Sequence, residues 1–411
     1  MDKAEPRNIW RDGWLWAICI GRVFSYATFM TYAACIVVLR GAWDMTATQA
    51  GTISAVFMFG YAISLLGFSW LAERYGAKRM FVFSIAANAV GAMAFGLFAR
   101  DYWSGLLIYG FSALMQGGMY TPGIMLMAER YGSKGRGAAV GALIASTSVA
   151  YAASLIVSGL MLAVGGYTLA FMVTGGMTVV GFVILMAAMW RVPNTVHARP
   201  EGMGVGTAVL GNDKARRLIL GYTCHNWELL GMWSWAPAFL AAGMMIGGAG
   251  SVKSAEIGAY LTAAMHGVGA VASTSMGHLS DRLGRRAVLV SLAGISAVLS
   301  FALGWLVALP ITVLVALVLV HGFTALGDSP VLSTALTESV PAAYLGSALA
   351  LRSLLGFGAG AAAPVAFGWI LDLTNVPGQA PTVWGPAFMV LGVGGLFATL
   401  YALRFPAETR P

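Results

Sequence analysis

Four charged residues lie inside long apolar runs of the sequence, where charges are rare: Arg22, Glu228, Asp328 and Arg352. A charge at the centre of a bilayer costs at least about 2.5–3.5 kcal/mol, so each charge needs a partner or a water-filled cavity. Guanidinium groups can bind an anion and carboxyl groups can carry protons. The sequence therefore predicts anion and proton chemistry within its apolar segments.

Two histidines lie close to the acids in sequence. His225 comes three residues before Glu228, on the same face of a helix, and His321 comes two turns before Asp328. A histidine and an acid one turn apart can relay a proton, because burial and a nearby cation change their pKa values in opposing directions. The four residues are candidates for proton coupling. Alternatively, Glu228 belongs to a hydrogen-bonded cluster that tethers helices, or Asp328 forms a fixed salt bridge with Arg352.

The two arginines are the candidates for binding a negatively charged solute. Arg22 shares a helical face with Tyr26 and Phe29, which are four and seven residues further along. We interpret this face as a half-aromatic anion site; a structural ion pair between Arg22 and one of the two acids is the alternative. Glycines at 356, 358 and 360 follow Arg352, and they can bend the span beside a ligand or pack tightly. The candidate solute-binding residues are Arg22, Tyr26, Phe29, Arg352 and Trp235.

The composition predicts the kind of segment that must hold these residues. The 411 residues are 59% hydrophobic and 10% charged, whereas soluble domains carry about a quarter charged residues. The chain is therefore predicted to be a multi-pass membrane protein. The net charge of +8 does not indicate nucleic-acid binding, because the bases lie in short loops between apolar runs. No metal-ligand cluster, phosphate loop or nucleophile triad is evident, so we expect neither an enzyme nor a cofactor or metal.

The apolar runs are long enough for twelve transmembrane helices. The predicted spans are 13–39, 46–72, 79–99, 103–128, 137–164, 168–190, 217–243, 256–279, 286–308, 311–336, 343–371 and 383–404. Segment 191–216, with several Pro, Gly and charged residues, is predicted to be a cytoplasmic linker between six-helix bundles at 1–190 and 217–411. The predicted fold class is an all-α membrane protein of two pseudo-symmetric six-helix bundles.

The distribution of basic residues predicts the orientation. Of the 24 Lys and Arg, nineteen fall in alternate segments that include both termini, three fall in the opposite segments, and two lie within spans. Both termini are therefore predicted to be cytoplasmic. With this orientation the four intramembrane charges lie at similar depth, near the middle of the bilayer.

A short motif occurs twice, 208 positions apart. The second copy is Gly277–Arg286 and the first is Ser69–Lys78; an acid, the base after it, a glycine and a second base keep their spacing. Pro122 and Pro330 share the same offset, so the two halves follow one plan. The predicted gating residues are Gly277, Asp281, Arg282, Gly284, Arg285, Arg286, Glu73, Arg74, Gly76 and Lys78.

Twelve spans, the duplication, the linker and the second motif together resemble the major facilitator superfamily over essentially the whole chain. The second copy matches the family pattern G-x-x-x-D-R-x-G-R-R at every fixed position, whereas the first has Ser69, Glu73 and Ala77, which predicts weaker gating contacts. We expect Gly277 to permit close helix packing and Gly284 to allow the chain to reverse. The resemblance implies alternating access, in which the two halves rock around a central site.

Three features bear on the solute class. Many proton-linked relatives carry an Arg where this chain has Ala113, and the Gly-Pro signature of many drug antiporters is absent from 150–165. Both features weaken a drug-efflux interpretation. A base at the position of Arg352 is similar to what carboxylate-transporting members have in this span.

We therefore predict a secondary active transporter of a small organic anion, a mono- or dicarboxylate, working by proton-coupled uptake or anion exchange. The alternative is a proton-driven exporter of amphipathic drugs; a non-transporting receptor is disfavoured because intramembrane charges normally mark a pathway. The expected partners are the solute, protons or a counter-anion, and membrane lipids, without nucleic acid. We expect a monomer in a bacterial inner membrane.

Overall fold

Helices make up the regular structure in the described part of the chain. The computed structural model describes residues 9–131, 133–196, 209–340, 345–376 and 379–405, so residues 197–208 of the predicted linker lie outside the described residues. The α-helices are α1 Gly13–Ser25, α2 Thr31–Ala42, α3 Ala47–Tyr75, α4 Ala77–Phe98, α5 Tyr102–Gln116, α6 Thr121–Arg130, α7 Ser133–Met189, α8 Asp213–Ile246, α9 Ser251–Leu283, α10 Arg285–Leu303, α11 Ile311–Thr337, α12 Leu345–Thr374 and α13 Gly385–Leu403.

The predicted all-α fold with twelve membrane spans is confirmed. Among the described residues, eight helices are long and apolar enough to cross a membrane. One of them, α7, holds two spans, because Gly165 and Gly166 leave helical geometry in its middle and Gly166 has a φ of +71°. Helices α1 with α2 and α5 with α6 make one span each, and α9 makes another. The location of the termini stays a prediction.

The first span is interrupted, which the sequence did not predict. Helix α1 ends at Ser25 and α2 begins at Thr31, with a turn between them. The Ser154 hydroxyl donates a hydrogen bond to the Ala27 carbonyl and accepts one from the Met30 N–H at 3.1 Å. Thr31 Oγ1 also donates to the Ala27 carbonyl, at 3.1 Å. Side-chain hydroxyls thus satisfy the backbone groups that the break frees, which an apolar environment requires.

The fourth span is interrupted as well. A single 3₁₀ turn, Gly117–Met119, separates α5 from α6. Ser64 Oγ accepts a hydrogen bond from the Gly117 N–H at 2.9 Å and donates one to the Leu114 carbonyl at 2.6 Å. A Cβ added at Gly117 would lie 2.6 Å from the backbone nitrogen of Leu65, so only glycine allows α3 to approach this closely.

The chain forms two compact units by its contacts. The first unit comprises Met1–Tyr32 with Gly60–Pro200, and the second comprises Ala33–Phe59 with Glu201–Pro411. Segment 33–59, which holds most of α2 and the first part of α3, therefore packs with the second unit although it precedes the linker. The predicted bundle boundaries at 190 and 217, drawn from sequence duplication, remain a prediction.

Candidate functional site

Arg22 is the central cation of the first unit. It lies on α1 and is fully buried, with a relative exposure of 0%. Its Nη2 donates hydrogen bonds to Thr147 Oγ1 at 2.9 Å and to the Tyr26 hydroxyl at 3.5 Å. The guanidinium carbon lies 5.0 Å from the ring centroid of Tyr26 and 5.7 Å from that of Tyr120, within cation–π range. Among the described residues, Nε and Nη1 are buried without a hydrogen-bond acceptor, so Arg22 retains donors for an anion.

Aromatic rings extend from Arg22 along the first unit. Phe29 stacks on Tyr151 with ring centroids 4.4 Å apart and meets Tyr61 edge-on at 5.8 Å. The hydroxyl oxygens of Tyr26 and Tyr61 lie 3.4 Å apart. The structure thus brings Tyr26 and Phe29 together near Arg22, although α1 ends at Ser25, before both aromatic residues. Tyr61 and Tyr151 were not among the predicted residues, because single aromatic residues in apolar spans have no distinguishing spacing.

In the second unit, His225 of α8 pairs with Asp328 of α11. Its Nδ1 lies 3.0 Å from Asp328 Oδ2, and its Nε2 lies 2.9 Å from the Ser329 hydroxyl oxygen. Both the imidazole and the carboxyl group are buried. The carboxylate orients the imidazole, so the two groups can share a proton along the Nδ1–Oδ2 line.

Glu228 forms a second pair, with His321 of α11. Glu228 Oε1 accepts hydrogen bonds from Ser296 at 2.9 Å and from Ser300 at 2.6 Å, and it lies 3.4 Å from His321 Nε2. Ser300 Oγ is also 2.8 Å from His321 Nε2. Since Ser300 has one proton to donate, an Nε2–H of His321 can donate to Ser300 while Ser300 donates to Glu228. This chain of donors is a short proton relay.

The pairing differs from the expectation that His225 serves Glu228. The two residues share a face of α8, but the contacts show that α8 and α11 run antiparallel, because the earlier residue of α8 meets the later one of α11. Each acid therefore meets a histidine of the other helix. Both pairs are buried, and satisfying a buried charge requires such a partner.

Arg352 lies on α12, against α8. Its Nη1 donates a hydrogen bond to Ser333 Oγ at 2.6 Å, and its guanidinium carbon lies 4.2 Å from the ring centroid of Tyr222. A Cβ added at Gly356 would lie 2.6 Å from Tyr222, so this glycine allows α12 to approach α8. Among the described residues Arg352 Nε is buried without an acceptor. The side-chain partner of Asp328 is His225, which disfavours the predicted alternative of a fixed Asp328–Arg352 salt bridge.

Trp235 lies in an aromatic core rather than among these polar groups. Its Nε1 donates to the Pro364 carbonyl at 3.1 Å, and its ring stacks on Phe367 with centroids 5.3 Å apart. Trp384 packs edge-on against it at 6.4 Å. The ring is buried and its only polar group is already bonded, so packing accounts for Trp235 and we leave it out of the site proposed below.

A narrow crevice within the second unit reaches Asp328. Its volume is about 10 Å³, room for roughly one water molecule. Leu332, Ala398 and Tyr401 line it, and Arg217 lies at the start of α8 on the predicted inner side. Asp328 Oδ1 is buried without a hydrogen-bond partner among the described residues, so a water in this crevice would satisfy it.

Comparison with known proteins establishes the family. The sequence profile described as Major Facilitator Superfamily matches residues 18–261 and 251–411, which together make up most of the chain. The chain belongs to the major facilitator superfamily. It is therefore a multi-pass membrane transporter and not an enzyme, as the sequence predicted.

Two superfamily relatives resemble the chain over nearly its whole length. The cis,cis-muconate transport protein of Acinetobacter baylyi is 23% identical and covers 94% of this chain and 93% of its own. A probable 4-methylmuconolactone transporter of Cupriavidus pinatubonensis is 25% identical, covering 92% of this chain and 88% of its own.

Solved superfamily structures share the fold. An inward-facing, unoccupied bacterial homologue of the human lysosomal transporter Spinster has a TM-score of 0.75 at 16% identity, over 97% of this chain and 95% of its own. The nucleoside transporter NupG has a TM-score of 0.74 at 12% identity, over 97% of this chain and 100% of its own. At these identities the likeness shows the fold alone.

The superfamily motif of the second half forms a tight reversal between α9 and α10. Gly284 has φ +90° and ψ 145°, a conformation that other residues rarely adopt, which confirms the predicted reversal. Arg285 donates to Glu338 Oε1 at 2.9 Å and pairs with Asp281. The pair with Glu338 joins the reversal to the residue that follows α11, whereas the pair with Asp281 lies within the reversal. Arg282 is exposed and Arg286 is half-buried.

The first-half motif adopts the same reversal with different partners. Gly76 has φ +94° and ψ 142°, nearly the values of Gly284. Lys78 Nζ donates to the Val192 carbonyl at 2.6 Å, and Asn194 Nδ2 donates to the Tyr75 carbonyl at 2.9 Å. Segment 192–194 therefore secures this loop. Exposed Glu73 and Arg74 complete the motif, and the Arg74 guanidinium lies 5.6 Å from the Tyr75 ring centroid.

The prediction that Gly277 permits close helix packing is wrong. A Cβ added at Gly277 would meet no atom within 4 Å among the described residues. The glycine lies in the last two turns of α9, on a side that no described neighbour approaches.

This difference between the two motif glycines gives a test. We expect Gly284→Ala to lower the melting temperature of the purified protein, because alanine at a φ of +90° costs about 1–3 kcal/mol. Gly277→Ala is the matched control and should leave the melting temperature unchanged or raise it slightly, since alanine favours helix over glycine. Equal melting temperatures for the two variants would contradict the geometry of the reversal.

Proposed function

We propose that this protein is a secondary transporter that carries a small organic anion, a mono- or dicarboxylate of the muconate type, by alternating access. Proton symport or anion exchange supplies the driving force. The observation that carries the proposal is Arg22, a fully buried guanidinium with two N–H-bearing nitrogens that have no acceptor among the described residues.

The chemistry of Arg22 suits a carboxylate. A guanidinium presents a planar set of donors that matches the two oxygens of a carboxylate, and such pairs are stronger than neutral hydrogen bonds. Thr147 and the Tyr26 ring hold the group on one side and leave Nε and Nη1 for the solute. The surrounding rings suit a planar, conjugated carbon skeleton. Arg352, whose Nε is also buried without an acceptor among the described residues, is the second proposed cation.

The charges of the buried arginines and acids favour proton coupling. Arg22 and Arg352 balance Glu228 and Asp328, so the empty protein is formally neutral at these four residues. Glu228, Asp328 and Arg352 belong to the same compact unit, so an anion bound at Arg352 adds a negative charge that favours protonation of one acid. Each acid already has a histidine partner within hydrogen-bonding or ion-pair distance that can pass the proton.

The two relatives support the solute class. One is named as a cis,cis-muconate transport protein and the other as a probable 4-methylmuconolactone transporter. A drug-exporting alternative has no comparable observation in its favour.

Transport by purified protein in liposomes tests the proposal. We expect uptake of labelled cis,cis-muconate to be inhibited by other mono- and dicarboxylates and stimulated by a proton gradient directed inward, or by trapped carboxylate if the protein exchanges anions. Transport of amphipathic cations, with no competition by carboxylates, would contradict the proposal.

The contribution of Arg22 can be measured in the same vesicles. We expect Arg22→Lys to reduce carboxylate uptake at least about tenfold, because a lysine loses the paired donors that hold both carboxylate oxygens. Arg100→Lys is the control: Arg100 is exposed, and its guanidinium donates to the Ala99 and Leu97 carbonyls at the end of α4. Uptake that is equal in both variants would exclude Arg22 from solute binding.

A further inference from the structure

The carboxylate of Asp372 joins the C-terminal half of α12 to the start of α3. Asp372 Oδ1 accepts a hydrogen bond from the Ala47 N–H at 2.7 Å, and Oδ2 accepts one from the Thr48 N–H at 2.7 Å. The Thr48 hydroxyl donates to Oδ2 at 2.6 Å. A carboxylate 324 residues away in sequence thus caps the N-terminus of α3, where unpaired N–H groups favour a negative charge.

The backbones of the two helices are close in the same region. A Cβ added at Gly51 would lie 2.2 Å from the Pro364 carbonyl oxygen, and one added at Gly368 would lie 2.2 Å from the Ala47 carbonyl oxygen. Residues 364, 368 and 372 are spaced four apart, so they form one face of α12. Small residues on facing helices allow such close packing within a membrane. We call these contacts the α3–α12 clasp, formed by Ala47, Thr48, Gly51, Pro364, Gly368 and Asp372.

The clasp joins parts of the chain that belong to different sequence halves. Helix α3 precedes the linker and α12 follows it, yet the first part of α3 packs in the second compact unit. By the positive-inside distribution, the α2–α3 loop and the end of α12 lie on the outer side. If the two halves rock to expose a site alternately to each side, a contact between them on the outer side must break.

We propose that Asp372 is a positioning residue that controls transport by holding the outer end of α3 on α12, so that the outer side opens only when the Asp372 bonds to Ala47 and Thr48 break. This proposal rests on the transporter assignment but not on the solute or on proton coupling. The clasp combines a charged cap with close backbone packing. It therefore stabilises the outward-closed state until solute binding offsets it.

The test measures access from outside and needs no solute. Ser54, buried on the same face of α3 as Ala47 and Gly51, is changed to Cys in a chain whose Cys19, Cys35 and Cys224 are replaced by Ala. A membrane-impermeant maleimide is then applied to vesicles with the protein in its native orientation. The initial rate of labelling reports how often the outer side opens.

We expect Asp372→Ala to raise the labelling rate at least about tenfold, and Asp372→Asn and Thr48→Val to raise it by smaller factors, because each removes part of the charged cap. Asp101→Ala is the matched control, because Asp101 caps the start of α5 within its own helix, bonding to Ser104. That variant should label at the parent rate.

A second pair of variants tests the packing independently. Gly51→Ala should raise the labelling rate, since its methyl group has no space against Pro364. Gly67→Ala, on the same helix with no atom within 4 Å among the described residues, should not. Unchanged labelling in Asp372→Asn, Thr48→Val and Gly51→Ala would overturn the proposal, as would an equal rise in Asp101→Ala. If carboxylate transport is absent but labelling follows this order, the proposed function fails and the clasp stands.

Discussion

Glu228→Gln will abolish solute accumulation driven by a pH gradient, while solute exchange at equal pH on both sides continues. The reason lies in the contacts of the carboxyl group. Its Oε1 accepts bonds from Ser296 and Ser300 and is reached by His321 through Ser300. A glutamine oxygen can accept the same two serine bonds, and the amide mimics the protonated acid. The loaded carrier can therefore still change state, but it can no longer release a proton.

The measurement combines pH-driven uptake, counterflow and melting temperature on one preparation. Glu256→Gln is the control, because this carboxylate pairs with Lys253 near the start of α9, apart from the histidine pairs. A purely structural Glu228 predicts a different result: counterflow and melting temperature would both fall, because the neutral amide cannot replace the carboxylate as the ion-pair partner of buried His321. Accumulation that persists in Glu228→Gln would instead assign the proton to Asp328.

The membrane fold could be predicted from the sequence because its signal is large. Apolar runs of about 20 residues leave few alternatives to a spanning helix. The breaks at 26–30 and 117–119 could not be predicted in this way, since both are apolar in sequence. They depend on single hydroxyl groups, Ser154 and Ser64, on neighbouring helices. A single serine hardly changes the mean hydropathy of a long apolar span.

The buried charged residues of the candidate site could be predicted from the sequence, but their hydrogen-bond partners could not. Arg22, Glu228, Asp328 and Arg352 are conspicuous because a charge inside a span is expensive. Which groups meet depends on the packing of α8 against α11, and spacing along one helix gave the wrong partner for His225. Ser296 and Ser300, four apart on α10, were missed because serine is common in membrane helices. Asp372 was missed because an acid near a span end is usually solvated.

The two histidine–acid pairs of the second unit have different surroundings. Ser300 joins His321 to Glu228, whereas Ser329 and the crevice lie beside the His225–Asp328 pair. In the proposed proton coupling, a proton entering along the crevice would reach Asp328 first. The Glu228→Gln experiment therefore distinguishes the carboxyl group that couples the proton from one that only passes it on.

Arg352→Ala will reduce carboxylate transport at least about thirtyfold while the melting temperature stays within a few degrees of the parent. Removing one partner of a buried, hydrogen-bonded charge pair costs roughly 2–5 kcal/mol, and each 1.4 kcal/mol is about a factor of ten. The protein loses little with this side chain, because its described contacts are one bond to Ser333 and the Tyr222 ring. The substitution should therefore weaken solute binding and transport while changing protein stability little.

Two further variants test whether Arg352 contacts the solute or only supports the packing of α12. Arg352→Lys keeps the charge but loses the planar donors, so it should transport weakly if the solute is held by charge alone and not at all if both carboxylate oxygens are bound. Ser333→Ala removes the hydroxyl that accepts the Arg352 bond, together with its own bond to the Ser329 carbonyl one turn earlier, and should raise KM severalfold with kcat nearly unchanged. Arg100→Ala, at the exposed end of α4 where the guanidinium of Arg100 donates to the Leu97 and Ala99 carbonyls, is the control and should transport normally. Normal transport by Arg352→Ala would remove this arginine from the site and leave Arg22 as the cation that binds the anion.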